Sequence, residues 1–189
     1  MDQTNPPAPL VKQLPSSADG KDSPQQPELL PENVTFRHVT VADLDVLVAL
    51  RAAFLAENYG AAASAPEFLD ALRRYFATTL GNGEYMAYLA IADAQVVATS
   101  GMVIHRHPPR PSKLGGCEAY VMNMYTLPAW RRRGLATALM KKLIDLAVQK
   151  GCERVTLHAS DMGRPVYSKL GFVQADTEMR LDPRAAIRG

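Results

Sequence analysis

The chain has 189 residues, of which 47% are hydrophobic and 21% charged, with a formal net charge of +2 at pH 7. This is the make-up of a globular chain whose single core needs no metal or disulfide staple. It excludes a dedicated nucleic-acid binder, which carries a large basic excess, and no apolar run of 18 residues offers a membrane span.

Residues 1–31 carry seven of the 14 prolines, interleaved with Ser, Gln and Asp. Apolar residues are too sparse to offset the entropy of ordering, so this stretch reads as a disordered arm ahead of one domain over 32–189. The arm is net acidic, with Lys12 and Lys21 against Asp2, Asp19, Asp22 and Glu28, which leaves the basic excess on the domain. That mild excess suits a small anionic ligand.

The domain opens on "VTFRH", a short strand from Val34. Thr40 or Asp43 then caps a helix in which Leu44, Leu47, Val48 and Leu50 recur at helical spacing, and Gly60 ends it. Pro66 starts a second helix with Phe68, Leu69, Leu72, Tyr75, Phe76 and Leu80 as its apolar stripe. Three extended segments follow: "EYMAYLAIA", "VVATSGMVIH" after a tight turn at Asp93–Gln95, and "CEAYVMNMYTL", which Pro128 stops. A helix over 132–150 buries Leu135, Leu139, Leu143 and Leu146, with Met140 and Ala147 beside them, and Gly151 closes it. "ERVTLHA" is a further strand, and Asp161 caps a short helix that ends at Gly171. "FVQADTEMRL" reads as a last strand or half a hairpin. The order β-α-α-β-β-β-α-β-α-β implies a mixed sheet with helices on both faces.

Cys117 and Cys152 form no C-x-x-C pair and read as two reduced thiols. With no apolar signal segment at the N-terminus, a cytoplasmic location is expected. His105-x-His107 has no third ligand at a recognisable spacing, so no metal is expected. His38 and His158 read as packing or surface residues.

The junction "TLPAWRRRGLATALM" carries the chemistry. A strand ends before Pro128, and a turn through Arg131, Arg132, Arg133 and Gly134 opens a helix. The first N–H groups of a helix have no partner within it and favour negative charge. Gly134 has no Cβ and Ala136 is small, so a bulky anion can approach the backbone. Arginines beside the turn add charge-assisted hydrogen bonds. The turn lacks the Gly-Lys-Ser/Thr of a P-loop and the three-glycine dinucleotide fingerprint.

A second motif, Tyr167-Ser-Lys169-Leu-Gly171-Phe172, follows the next strand. Together, in this order and at this separation, the two motifs make the chain resemble the GNAT superfamily of acyl-CoA-dependent N-acetyltransferases over residues 34–181. The resemblance implies an α/β fold with a mostly antiparallel sheet containing a splayed parallel pair. It implies acetyl-CoA as cosubstrate and direct transfer of the acetyl group to a primary amine. It places the CoA pyrophosphate on the backbone of Arg132, Arg133, Gly134, Leu135, Ala136 and Thr137, with Arg131 marking the motif. The pantetheine arm would pair with Met124, Tyr125 and Thr126, and Met124 would lie near the thioester. Ser160 stands where many members have Asn, and its hydroxyl remains available to CoA. Tyr167 matches the residue that protonates the departing thiolate. Glu118 lies two residues before the position where some members carry a base, and is the candidate base or amine-binding group. On an ideal strand Tyr120, Met122 and Met124 share its side, and Asn123 faces away unless a bulge shifts the phase. Asn123, Tyr59 and Tyr85 are candidate acceptor contacts near the first two helices, and Trp130 packs beside the cofactor turn. A small-molecule amine is the expected acceptor, without nucleic-acid or membrane partners, for a monomer or homodimer. The alternatives are a protein N-terminal or lysine acetyltransferase, and a non-catalytic CoA-binding module of the same fold.

Overall fold

A computed structural model describes residues 30–111 and 114–175. Most of the expected arm and most of the expected last strand lie outside the described residues, and Phe172–Ala175 carries no regular element.

Among the described residues, five strands form one sheet in the order β1-β2-β3-β4-β5. They are β1 (Val34–His38), β2 (Tyr85–Ala92), β3 (Gln95–Arg106), β4 (Cys117–Thr126) and β5 (Arg154–Leu157). The first three pairings are antiparallel and β4–β5 is parallel. Asp93 and Ala94 turn β2 into β3 with φ of 50° and 61°, the twist that lets a two-residue turn follow the strands.

Helices α1 (Leu44–Tyr59) and α2 (Pro66–Gly81) cover one face. There Leu47, Val48, Leu50 and Phe76 pack against Tyr85, Ala87, Leu89 and Tyr125. Helices α3 (Leu135–Gln149) and α4 (Arg164–Lys169) cover the other. There Met140, Leu143, Leu146, Ala147 and Tyr167 pack against Met102, Ala119 and Val121. The expected stripe of α3 is buried in full. The helix starts three residues later than its sequence suggests, because Arg132 (φ 58°) and Gly134 (φ 74°) hold left-handed, non-helical backbone.

Thr40 and Asp43 act together before α1. Asp43 Oδ2 accepts the Thr40 N–H at 2.8 Å, and the Arg37 guanidinium grips both carboxylate oxygens at 2.7 and 2.6 Å. The Arg37 hydrogen bond, opposed by burial, holds the Asp43 carboxyl down at about 2. A carboxyl lowered in this way adds stability that is complete above its unfolded pKa of about 3.9 and is lost as pH falls through its folded value. Asp43→Asn should therefore cost about 2 kcal/mol at pH 7, after allowance for solvent around the half-exposed Arg37. The same comparison at pH 2 should show a much smaller difference in denaturant midpoint.

Cys117 and Cys152 are not separate thiols. They are joined as a disulfide with Cα atoms 4.4 Å apart. Cys117 opens β4, and Cys152 directly precedes the segment entering the parallel β5, so the fold sets the two side by side. Glu153 N–H donates to Cys117 O at 3.0 Å in the same place.

Candidate active site

The parallel pair β4–β5 is short. Its ladder runs from Glu118↔Arg154 to Val121↔Leu157 and stops. Beyond it β4 stays paired with β3 on one edge, through Tyr125↔Thr99 and Thr126↔Ala98. Its other edge over residues 122–126 has no strand partner among the described residues. The strands therefore fork after Val121 and leave an open backbone edge suited to an extended, amide-bearing ligand.

A bulge sits at the fork. Gly101 pairs with Met122 and Thr99 with Tyr125, so Asn123 and Met124 together oppose Ser100. Asn123 has φ of 56°. The extra residue shifts the side-chain phase of β4. Glu118, Tyr120 and Met122 lie on the α1/α2 side, Asn123 joins them, and Met124 turns to the α3 side, where it packs with Leu135 and Leu139. Met124 thus does not share the Glu118 side, as an unbroken alternation would have it.

Asn123 and Tyr85, expected as acceptor contacts, form one buried pair. Asn123 Nδ2 donates to Tyr85 Oη at 3.0 Å, and Tyr85 is 2% exposed. A Cβ on Gly101 would overlap the Tyr85 ring, so glycine there is what lets this phenol reach under β3 to the bulge. Burial pushes the Tyr85 hydroxyl well above the usual tyrosine range, which keeps it a neutral partner. Tyr59 is at the surface at the end of α1, 68% exposed.

The turn after β4 leaves a run of backbone N–H groups without backbone acceptors among the described residues. Among the described residues, none of the N–H groups of 132–137 donates to a backbone carbonyl, and Ala138 is the first to do so, to Gly134 O at 3.0 Å. Left-handed backbone at Arg132 and Gly134 brackets Arg133 and curls this run of N–H groups into a concave cradle. The arginines divide the remaining work. Arg131 turns back: its Nε donates to Thr126 O at 3.1 Å, its Nη2 pairs with Glu57 of α1, and it lies 5.7 Å from the Tyr125 ring centre. It braces the strand end against α1. Arg133 lies 4.8 Å over the Trp130 ring, which packs beside the turn as expected. The open edge and the cradle together fit the pantetheine and pyrophosphate of CoA.

Tyr167 is buried in the α3/α4 core, with its ring 5.9 Å from Phe172. Its hydroxyl has no hydrogen-bond partner among the described residues, and burial raises its pKa. Ser160 is used locally: its Oγ accepts the Gly163 N–H at 3.2 Å in the turn before α4, and the N-cap of that helix is Gly163, not Asp161.

Glu118 stands apart from the fork. Its Oε1 accepts from Thr156 Oγ1 at 2.8 Å, and its Oε2 faces Arg154 Nη1 at 3.4 Å and His107 Nε2 at 3.8 Å. It lies four residues before Met122, about 13 Å along the strand. Two further features lie on the α1/α2 side of the sheet. Tyr120 Oη and His158 Nδ1 are 2.8 Å apart, and His158 is at the surface, as expected. Arg51, on the α1 stripe between Leu47 and Phe54, has its guanidinium 5.4 Å from the Phe54 ring. It has no carboxylate partner among the described residues. Burial lowers its pKa, while the phenols of Tyr85, Tyr120, Tyr59 and Tyr75 act against that. Only the pattern break, an arginine in an apolar stripe, could have flagged it from sequence.

A family model for the acetyltransferase (GNAT) family matches residues 48–172. The chain belongs to the GNAT acetyltransferase family. The fold and the family are those of acetyltransferases, whose acyl donor is acetyl-CoA. A predicted acetyltransferase from Clostridium acetobutylicum, solved with acetyl-CoA, superimposes with a TM-score of 0.71 at 29% identity, covering 80% of this chain and 97% of that one. A GCN5-related N-acetyltransferase from Ralstonia eutropha JMP134 gives 0.72 at 26% identity, covering 80% and 99%. Glucosamine 6-phosphate N-acetyltransferase of Trypanosoma brucei brucei is 31% identical over 88 residues, 47% of this GNAT chain and 58% of the relative. A probable glucosamine 6-phosphate N-acetyltransferase 2 from Oryza sativa subsp. japonica is 28% identical over 92 residues, 49% and 54% of the two chains. This chain thus spans a little over half the length of these relatives.

Proposed function

We propose that this GNAT protein transfers the acetyl group of acetyl-CoA directly to the primary amine of a small molecule that also carries an anionic group. The observation that carries the acceptor class is Arg51. A half-buried guanidinium without a carboxylate partner among the described residues is costly, and a ligand anion would offset that cost. The acceptor named in two relatives, glucosamine 6-phosphate, joins an amine to a phosphate and supports the same reading.

In this mechanism the thioester lies in the fork between β4 and β5. The pyrophosphate rests on the cradle of residues 132–137, and the pantetheine extends along Met124–Thr126. A backbone N–H at the bulge, at Met124, steadies the oxyanion of the tetrahedral intermediate. Tyr167 delivers a proton to the departing sulfur. Holding amine and thioester together supplies most of the rate.

Thiol release from acetyl-CoA across matched amines tests the acceptor class. Glucosamine 6-phosphate and amino acids should be acetylated, and glucosamine and simple alkylamines much less. Arg51→Gln should raise KM for the anionic amines about 10- to 100-fold, equivalent to a lost charged hydrogen bond of about 1.5–3 kcal/mol, and leave neutral amines unchanged. Equal losses for both sets would remove Arg51 from acceptor recognition. Acetylation of peptides but of no free amine would favour a protein acceptor.

A further inference from the structure

We propose that Tyr120 and His158 form the base that takes the proton of the attacking amine. The proposal rests on the acetyl-transfer reading above and supplies the group that Glu118 is badly placed to be.

The pair is set by the fork. Val121↔Leu157 is the last rung between β4 and β5. Tyr120 lies one residue before that rung and His158 one residue after it, and their side chains meet across it at 2.8 Å. Their rings stand nearly perpendicular, at 70°. Tyr120 is held from its other side by His105 of β3, whose ring stacks on it at 15° and 6.1 Å. The phenol is thus fixed at the point where the strands part.

The sheet separates this pair from Tyr167. Tyr120 lies on the α1/α2 side, opposite Val103 in register, whereas Tyr167 belongs to the core on the α3 side. Both border one groove of about 650 Å³ that follows β5. A thioester in the fork would have a base on one face and a proton donor on the other. Acyl transfer moves two protons, one off the nitrogen and one onto the sulfur, and separate groups on the two faces would serve them.

With its ring proton on Nε2, His158 accepts from the Tyr120 hydroxyl at Nδ1. The step balances for an amine that enters neutral. As nitrogen bonds to the acetyl carbon, its proton passes to Tyr120 Oη, and the proton already on Oη passes to His158 Nδ1. The C–S bond then breaks with its electron pair on sulfur, and Tyr167 Oη protonates the thiolate. Solvent takes the proton from the imidazolium and returns one to the Tyr167 phenolate. Imidazole suits this role because it changes charge between pH 5 and 8. The charged and titratable groups around the pair are Arg51 of α1, His105 of β3, Glu118 of β4, and Arg154 and Arg164, which line the same groove. Glu118 is already engaged by Thr156 and Arg154, and Arg164 faces Asp161 at 3.8 Å.

The test compares wild type, Tyr120→Phe, His158→Gln and the double variant in thiol release, with acetyl-CoA and glucosamine 6-phosphate as probes, from pH 6 to 9. Each single variant should lose about 10²–10³-fold in kcat at pH 7 and recover part of it at pH 9, where more of the amine is free. KM for acetyl-CoA should stay within about twofold, and the double variant should be no worse than either single, because the residues act as a unit. Wild-type kcat in both single variants, or losses that multiply in the double, would overturn the pair. If wild type acetylates no amine in the panel, it is the acetyl-transfer reading that fails, and the base assignment falls with it. Activity that is unchanged in the variants but present in wild type rejects the pair alone.

Discussion

Replacing Gly134 with glutamate should abolish the thermal stabilisation that acetyl-CoA confers. With ligand at 100 times Kd, wild type should gain about 2.7 kcal/mol, a rise of about 5–10 °C in Tm for a chain of this size. Gly134→Glu should show no rise, for two reasons that act together. The backbone at Gly134 has φ of 74°, where a side chain adds strain of about 1–2 kcal/mol. The new carboxylate also stands at the mouth of a cradle whose N–H groups from 132 to 137 have no backbone acceptor among the described residues, and there it opposes the pyrophosphate. Gly134→Ala separates the two effects: it carries the strain without the charge and should keep part of the shift. A full ligand-induced shift in Gly134→Glu would move the phosphate site away from this turn.

The second large effect is expected at Tyr167. Tyr167→Phe should lower kcat about 10²–10³-fold while the acetyl-CoA thermal shift stays as in wild type. The phenylalanine keeps the ring contact with Phe172 and the packing on Met140 and Leu143, so stability should change by less than about 1 kcal/mol. Burial raises the Tyr167 pKa, so the hydroxyl stays protonated throughout the neutral range and acts only as a donor there. Its contribution to kcat should therefore hold from neutral pH upward and fade only in the alkaline range. Giving a proton to a thiolate of pKa about 8.5 from a phenol of about 10 is already uphill by roughly 2 kcal/mol, and the raised pKa adds to this. Wild-type turnover in Tyr167→Phe would leave the residue with a packing role.

Most element positions were legible because each carries a local signal. Pro66 marks the start of α2, the Leu135–Leu146 stripe marks the buried face of α3, and the turn at Asp93–Ala94 fixes the β2–β3 hairpin. The turn before α3 was legible for the same reason, since a glycine between a proline-ended strand and an amphipathic helix is a short-range pattern. The assignments that changed depend on residues far apart in the chain. The facing of Asn123 and Met124 turns on one bulge whose register is set by β3. The joining of Cys117 to Cys152 and the commitment of Glu118 to Thr156 and Arg154 follow from the parallel pairing of β4 with β5. Arg131, read from sequence beside the phosphate, is drawn away by Glu57, 74 residues earlier.

By itself the sequence determined the family and the α/β class, because these rest on patterns spanning a few residues whose physics is local. Only the tertiary structure decided which way the side chains of β4 face. A single extra residue in β4 inverts the side-chain phase, and the end of a four-residue parallel ladder sets where the fork opens. Tyr120 and His158 are 38 positions apart, and nothing in the chain relates them until β4 and β5 lie side by side.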